Sequence, residues 1–120
     1  MARILVVDDS RYFRRATRAL LEDAEHEVLE AASARDAMKI IFVEAPDAIV
    51  MDILLPGDDG LSLLEELRRR DFGGPLLVVT ADRQPMTKHL AMTHGATRVF
   101  HQPVDGAEIL EALEEATSLV

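Results

Sequence analysis

A chain of 120 residues, 48% of them hydrophobic, is long enough for one packed core and too short for two. The absence of cysteine excludes disulfides, thiolate nucleophiles and Cys-ligated zinc, and a net charge of −9 without tryptophan argues against nucleic acid as a ligand. His26, His89, His94 and His101 show no metal-site spacing, and no apolar run is long enough for a bilayer, so the expectation is a single cytoplasmic domain over 1–120.

Ile4-Leu5-Val6-Val7 is an unbroken apolar run of strand length, the pattern of a strand buried on both faces. Arg11 to Glu22 predicts a helix with Phe13, Ala16 and Leu20 inward. Its arginines Arg11, Arg14, Arg15 and Arg18 form a stripe that reads either as a solvated face or as a docking surface. A short strand is expected over His26–Ala31, then a helix over Ala34–Glu44 with Ala34, Ala37, Met38, Ile41 and Phe42 inward, ended by Pro46. Ala48–Met51 reads as the third strand. In the turn Pro56–Gly60, Asp58 or Asp59 suits the N-cap of a helix that buries Leu61, Leu64 and Leu67. Arg68, Arg69 and Arg70 close that helix, where cations meet its dipole favourably.

Gly73-Gly74-Pro75 separates it from a strand over Leu76–Val79. Pro85 starts a helix that runs to His94, and Gly95 fits a left-handed cap. Met86, Leu90 and Met92 on it read as core or as an exposed output face. Arg98–Phe100 is a fifth strand, and Gly106–Leu119 a last helix with Ile109, Leu113 and Ala116 inward. Strict strand–helix alternation requires crossovers, hence a doubly wound five-stranded parallel sheet, flavodoxin-like, in the order 2-1-3-4-5.

In such sheets the chemistry lies beyond the carboxyl ends of the strands. There the chain places Asp8 and Asp9, Asp52, Thr80, and His101-Gln102-Pro103. Carboxylates gathered in one crevice repel one another and raise at least one pKa. A hard dication such as Mg²⁺ removes that conflict, and a carboxylate beside it can attack a phosphorylated donor.

The residues Asp8-Asp9-Ser10, Asp52 followed by Pro56 and Asp59-Gly60, Thr80-Ala81, Gly95-Ala96 and Pro103 stand in register along the chain. On them it resembles the receiver domains of two-component response regulators, chemotaxis-regulator-like, over essentially its whole length. The resemblance implies that Asp52 is the phospho-acceptor, Thr80 the switch hydroxyl and the Ala81 backbone N–H a further donor. It implies a Mg²⁺ site in which Asp9 binds directly beside Asp52, Asp8 acts through bound water, and the Leu54 carbonyl completes the protein's share. The implied partners are a histidine kinase or histidine phosphotransfer protein and a downstream output protein or domain that reads helix four, strand five and helix five. Such a domain is a cytoplasmic switch, not an enzyme beyond its own phosphorylation and dephosphorylation, and it contacts neither nucleic acid nor membrane.

Two positions depart from the family. Gln102 stands where the active-site lysine is expected, and a neutral amide cannot offset phosphoryl charge. Val99 takes the place of the rotating aromatic, and Phe100, one residue on, faces the other side of the sheet. Arg83, Lys88 and His101 are the cations near enough to compensate. The alternative is a pseudo-receiver, a protein-interaction module that works without phosphorylation. A flavodoxin-like cofactor binder or an aspartate-nucleophile phosphatase is opposed by the residues. There is no glycine-rich loop after strand one, and no second Asp two residues past a nucleophile.

Overall fold

A computed structural model of the chain describes residues 1–55 and 60–118. Strands and helices alternate throughout: β1 (Arg3–Val7), α1 (Arg11–Asp23), β2 (Glu27–Ala31), α2 (Ala34–Glu44), β3 (Ala48–Met51), α3 (Gly60–Arg69), β4 (Leu76–Thr80), α4 (Pro85–Thr93), β5 (Arg98–His101) and α5 (Gly106–Ser118). The strands are parallel in the order β2-β1-β3-β4-β5, the doubly wound flavodoxin-like arrangement that the alternation requires. The expected caps at Asp58 or Asp59 lie outside the described residues.

Cover on both faces explains the unbroken apolar runs. Ile4 and Val6 pack with Val50, Leu77 and Phe100 against Leu21 of α1 and Ile109 and Leu113 of α5. Leu5 and Val7 turn the other way, with Ile49, Met51 and Val78, onto Ala37 of α2, Leu64 and Leu67 of α3 and Ala91 of α4. Val99 belongs to this second layer and Phe100 to the first. The aromatic ring therefore cannot fill the place of Val99.

Three inward assignments are corrected. Phe42 is 84% exposed. Ile41 packs against the core instead, and a turn of about 100° per residue carries its successor away from the sheet. On α1, Phe13 and Ala16 are exposed while Leu21 is fully buried, because the first half of that helix stands over a cavity, described below.

Local chemistry sets the helix ends. The Ser10 and Ser33 hydroxyls accept from the backbone N–H groups of Phe13 and Asp36 at 3.3 and 3.1 Å, each relieving an orphan donor. Ser33→Ala is expected to cost about 1 kcal/mol, read as a lower denaturant midpoint with an unchanged slope. Helix α2 stops at Glu44 because Ala45, which precedes Pro46, is barred from helical backbone and adopts φ 47°. Gly95 follows α4 with φ +116°, as a cap position there demands.

Candidate functional site

The parallel register gathers the site. Val7 pairs with Met51 and Thr80 with His101, so the residues that leave these strands emerge at one edge of the sheet. Backbone bonds carry the pairing a step further. Asp8 N–H donates to the Ala31 carbonyl (3.1 Å), Asp52 N–H to that of Val7 (3.0 Å) and Gln102 N–H to that of Thr80 (2.9 Å). Asp8, Asp52 and Gln102 border one cavity of about 360 Å³, whose wall is otherwise largely apolar and includes Phe13, Leu20 and Ile109.

The acids perturb one another as expected of carboxylates in a crevice. Asp8 is buried, and its Oδ1 accepts from the Ser10 N–H at 2.8 Å. Burial pushes its carboxyl up to about 6; the Ser10 bond works against this, and the charges of Asp52 and Asp9 reinforce it. Asp52 is also raised above the ordinary carboxylate range, by burial first and by Asp9 in addition. Bonds from the Leu54 N–H (2.9 Å) and the Thr80 hydroxyl act in the opposite direction. Asp9 is exposed. Gly60 fixes the segment that carries Asp52 and Leu54. A Cβ there would sit 2.4 Å from the Ile53 Cα, so only glycine lets α3 approach this backbone.

Thr80 is fully buried, and its hydroxyl also accepts from the Asp82 N–H at 3.2 Å. It thus joins Asp52 to the segment between β4 and α4. Asp82 braces that segment, accepting from the Gln84 N–H (2.9 Å) and the Thr87 hydroxyl (2.7 Å), while its carbonyl lies 3.1 Å from His101 Nδ1. Arg83 Nη2 donates to the Gln102 carbonyl at 3.0 Å. Ala81 follows Thr80 and is exposed, as is Lys88.

Among the described residues no three His, Asp or Glu side chains are gathered as a ready ligand set. The acids instead act on one another in pairs: the charges of Asp52 and Asp9 act on Asp8, and that of Asp9 on Asp52. An all-oxygen donor set of carboxylates, two of them partly buried, still fits a hard dication, which would relieve the repulsion that adds to burial in lifting Asp8.

One contributor lies inside the arginine stripe. Arg14 donates from Nη1 to the Asp8 carbonyl (2.7 Å) and from Nε to Glu30 (3.2 Å), and Arg18 reaches the other Glu30 oxygen at 2.6 Å. Burial pushes the Glu30 carboxyl up, but the two arginines outweigh it and hold the group below its ordinary value. The available signal was Glu30 itself, an acid set in a strand between Leu29 and Ala31. Arg11 and Arg15 stay exposed.

Comparison with known proteins identifies the family and the fold. The response regulator receiver domain family matches residues 4–114. The transcriptional regulatory protein PhoP of Escherichia coli (strain K12) is 31% identical over 112 residues, 93% of this chain and 50% of that protein. The virulence transcriptional regulatory protein PhoP of Salmonella typhimurium (strain 14028s / SGSC 2262) is 32% identical over 114 residues, 95% of this chain and 51% of that one. The chain thus spans about half the length of the curated relatives it matches. Among solved structures, the chemotaxis response regulator CheY4 of Vibrio cholerae superposes with a TM-score of 0.88 at 29% identity, covering 97% of this chain and 98% of that one. A CheY-like receiver domain protein from Methanospirillum hungatei JF-1 gives 0.93 at 28% identity, covering 99% and 95%. No described helix is long and apolar enough to cross a membrane. Fold, strand-end acids and a family match over nearly the whole length converge: the chain belongs to the response regulator receiver domains, which are signalling domains.

Proposed function

We propose that this receiver is a phospho-acceptor switch in which Asp52 takes a phosphoryl group from a histidine phosphodonor. The observation that carries the reading is the partly buried Asp52 carboxylate, coupled to Asp8 and Asp9 and within hydrogen-bonding reach of Thr80. A carboxylate oxygen of Asp52 forms the new O–P bond as the P–N bond to the donor imidazole breaks and the imidazole leaves. Asp9 and Asp52 directly, Asp8 through water and the Leu54 carbonyl would hold Mg²⁺, which when bound neutralises charge on the transferring group. The Leu54 N–H orients Asp52 from 2.9 Å.

After transfer the Thr80 hydroxyl donates to a phosphoryl oxygen, and the Ala81 N–H adds a second donor. Because Thr80 also holds the Asp82 N–H, its movement is passed to the segment before α4. Gln102, at the position of the family's lysine, offers only a neutral donor, and Val99 replaces the rotating aromatic. The change is therefore passed on through Asp82 and its contact with His101. Residues 1–120 act as one cytoplasmic domain. Its phosphodonor is a histidine kinase or histidine phosphotransfer protein, and its reader is a downstream output protein or domain at α4, β5 and α5. It catalyses only its own phosphorylation and dephosphorylation and touches neither nucleic acid nor membrane.

Incubation with acetyl phosphate and Mg²⁺, followed by intact-mass measurement, tests this. Wild type is expected to gain one phosphoryl group, Asp52→Asn none, and Gln102→Lys a label that accumulates further or persists longer. A wild type that stays unlabelled while Gln102→Lys takes the label would favour the pseudo-receiver.

A further inference from the structure

We propose that Arg83 supplies the cation that pairs with a phosphoryl group on Asp52, in a site whose position just after β5 carries a neutral glutamine. The inference rests on the phospho-acceptor reading above. It begins with a charge balance: Asp8, Asp9 and Asp52 are acids at one edge, and phosphorylation turns the single negative charge of Asp52 into close to two. A dication offsets part of that excess, and a well-placed monocation is needed for the phosphoryl oxygens.

Among the described residues, the cations hydrogen-bonded to backbone of the site are Arg14 and Arg83. Arg14 is committed to the Asp8 carbonyl and to Glu30. His101 has Nδ1 engaged at the Asp82 carbonyl. Arg83 is different. Its Nη2 rests 3.0 Å from the carbonyl of Gln102, which borders the same cavity as Asp52. No carboxylate claims its guanidinium among the described residues, so its remaining N–H donors are available.

Arg83 is also presented by a braced segment, not a loose one. Asp82 on one side is tied to Gln84, Thr87 and His101, and Thr80 holds the Asp82 N–H. Released from the Gln102 carbonyl, the guanidinium would offer a planar fork geometrically suited to phosphoryl oxygens. Because the same segment hangs on Thr80, closing Arg83 onto the phosphoryl group and moving Thr80 toward it draw the chain the same way.

The full chain, with acetyl phosphate as donor and Mg²⁺ present, tests the proposal through the initial rate of phosphoprotein formation, with thermal melts as a check on folding. Arg83→Ala is expected to slow labelling by about 100-fold, the loss typical of one charge-stabilising donor. Arg83→Lys should keep most of the rate, and Gln102→Lys placed in the Arg83→Ala background should restore it. Arg83→Ala labelling at the wild-type rate would overturn the proposal and leave the phospho-acceptor reading standing. So would a folded Arg83→Lys as slow as alanine. A wild type that takes no label at all removes both.

Discussion

Arg68→Ala is expected to destabilise the domain by about 3 kcal/mol and to lower its melting temperature by roughly 10 °C. The guanidinium ties together three stretches of chain that no strand pairing joins. Nε donates to the Gly95 carbonyl at 2.9 Å, Nη1 to those of Phe72 (2.6 Å) and Gly74 (3.0 Å), and Nη2 to the Thr97 hydroxyl at 3.3 Å. That hydroxyl in turn accepts from the Leu76 N–H at 3.0 Å, at the start of β4. Burial lowers the guanidinium pKa from its ordinary value, yet an arginine stays charged at any physiological pH, so all its donors persist. Truncation strips three carbonyls of a charged donor, each costing about 1 kcal/mol where water can partly replace it. Lysine cannot reach in so many directions and should recover only a fraction. Arg69→Ala is the control: its exposed pairing with Glu66 is screened by water, and its loss should leave the melting curve close to that of wild type. Coincident melting curves for Arg68→Ala and wild type would rule out the bracing role.

In metal-free buffer at pH 7, Asp8→Asn is expected to be more stable than wild type by about 1–3 kcal/mol. The Asp8 carboxyl is lifted from 3.8 to about 6 in the fold, so the folded state holds its proton more tightly than the unfolded chain does. The cost of its ionisation is absent below 3.8, grows as pH rises through that window, and is fully present above about 6. Wild-type stability relative to the asparagine variant should therefore fall between pH 4 and 6.5, whereas an ordinary salt-bridged carboxylate would give the opposite slope. Added Mg²⁺ should raise the melting temperature of wild type more than that of Asp8→Asn. Parallel pH–stability curves for the two proteins would remove the argument.

The sheet was legible because a strand covered on both faces must be apolar at consecutive positions, and Ile4–Val7, Ala48–Met51 and Leu76–Val79 have no other economical reading. The acidic edge was legible for a related reason: a carboxylate directly after such a run can only emerge at a strand end. What the sequence did not reveal was the destination of long side chains. Arg68, Arg69 and Arg70 are neighbours of one type, yet one turns under the loops before β4 and β5 while the others pair with Glu66. Arg14 and Arg18 likewise differ from Arg11 and Arg15 through Glu30, a contact made only once α1 lies on β2. Phe42 misled for a simpler reason: an apolar residue beside a helical stripe satisfies the pattern without being under the stripe.

The ion pairs at Glu30 set how an incoming protein senses α1. With Arg14 and Arg18 drawn onto that acid, Arg11 and Arg15 are the guanidinium groups of the helix left exposed, with no ion pair among the described residues. Long-range attraction of an acidic partner to this helix is correspondingly weak, since exposed charges are screened beyond about 8 Å at physiological ionic strength. Association through α1 will therefore depend only shallowly on salt, and fit at short range, not steering from afar, will decide which partners are retained.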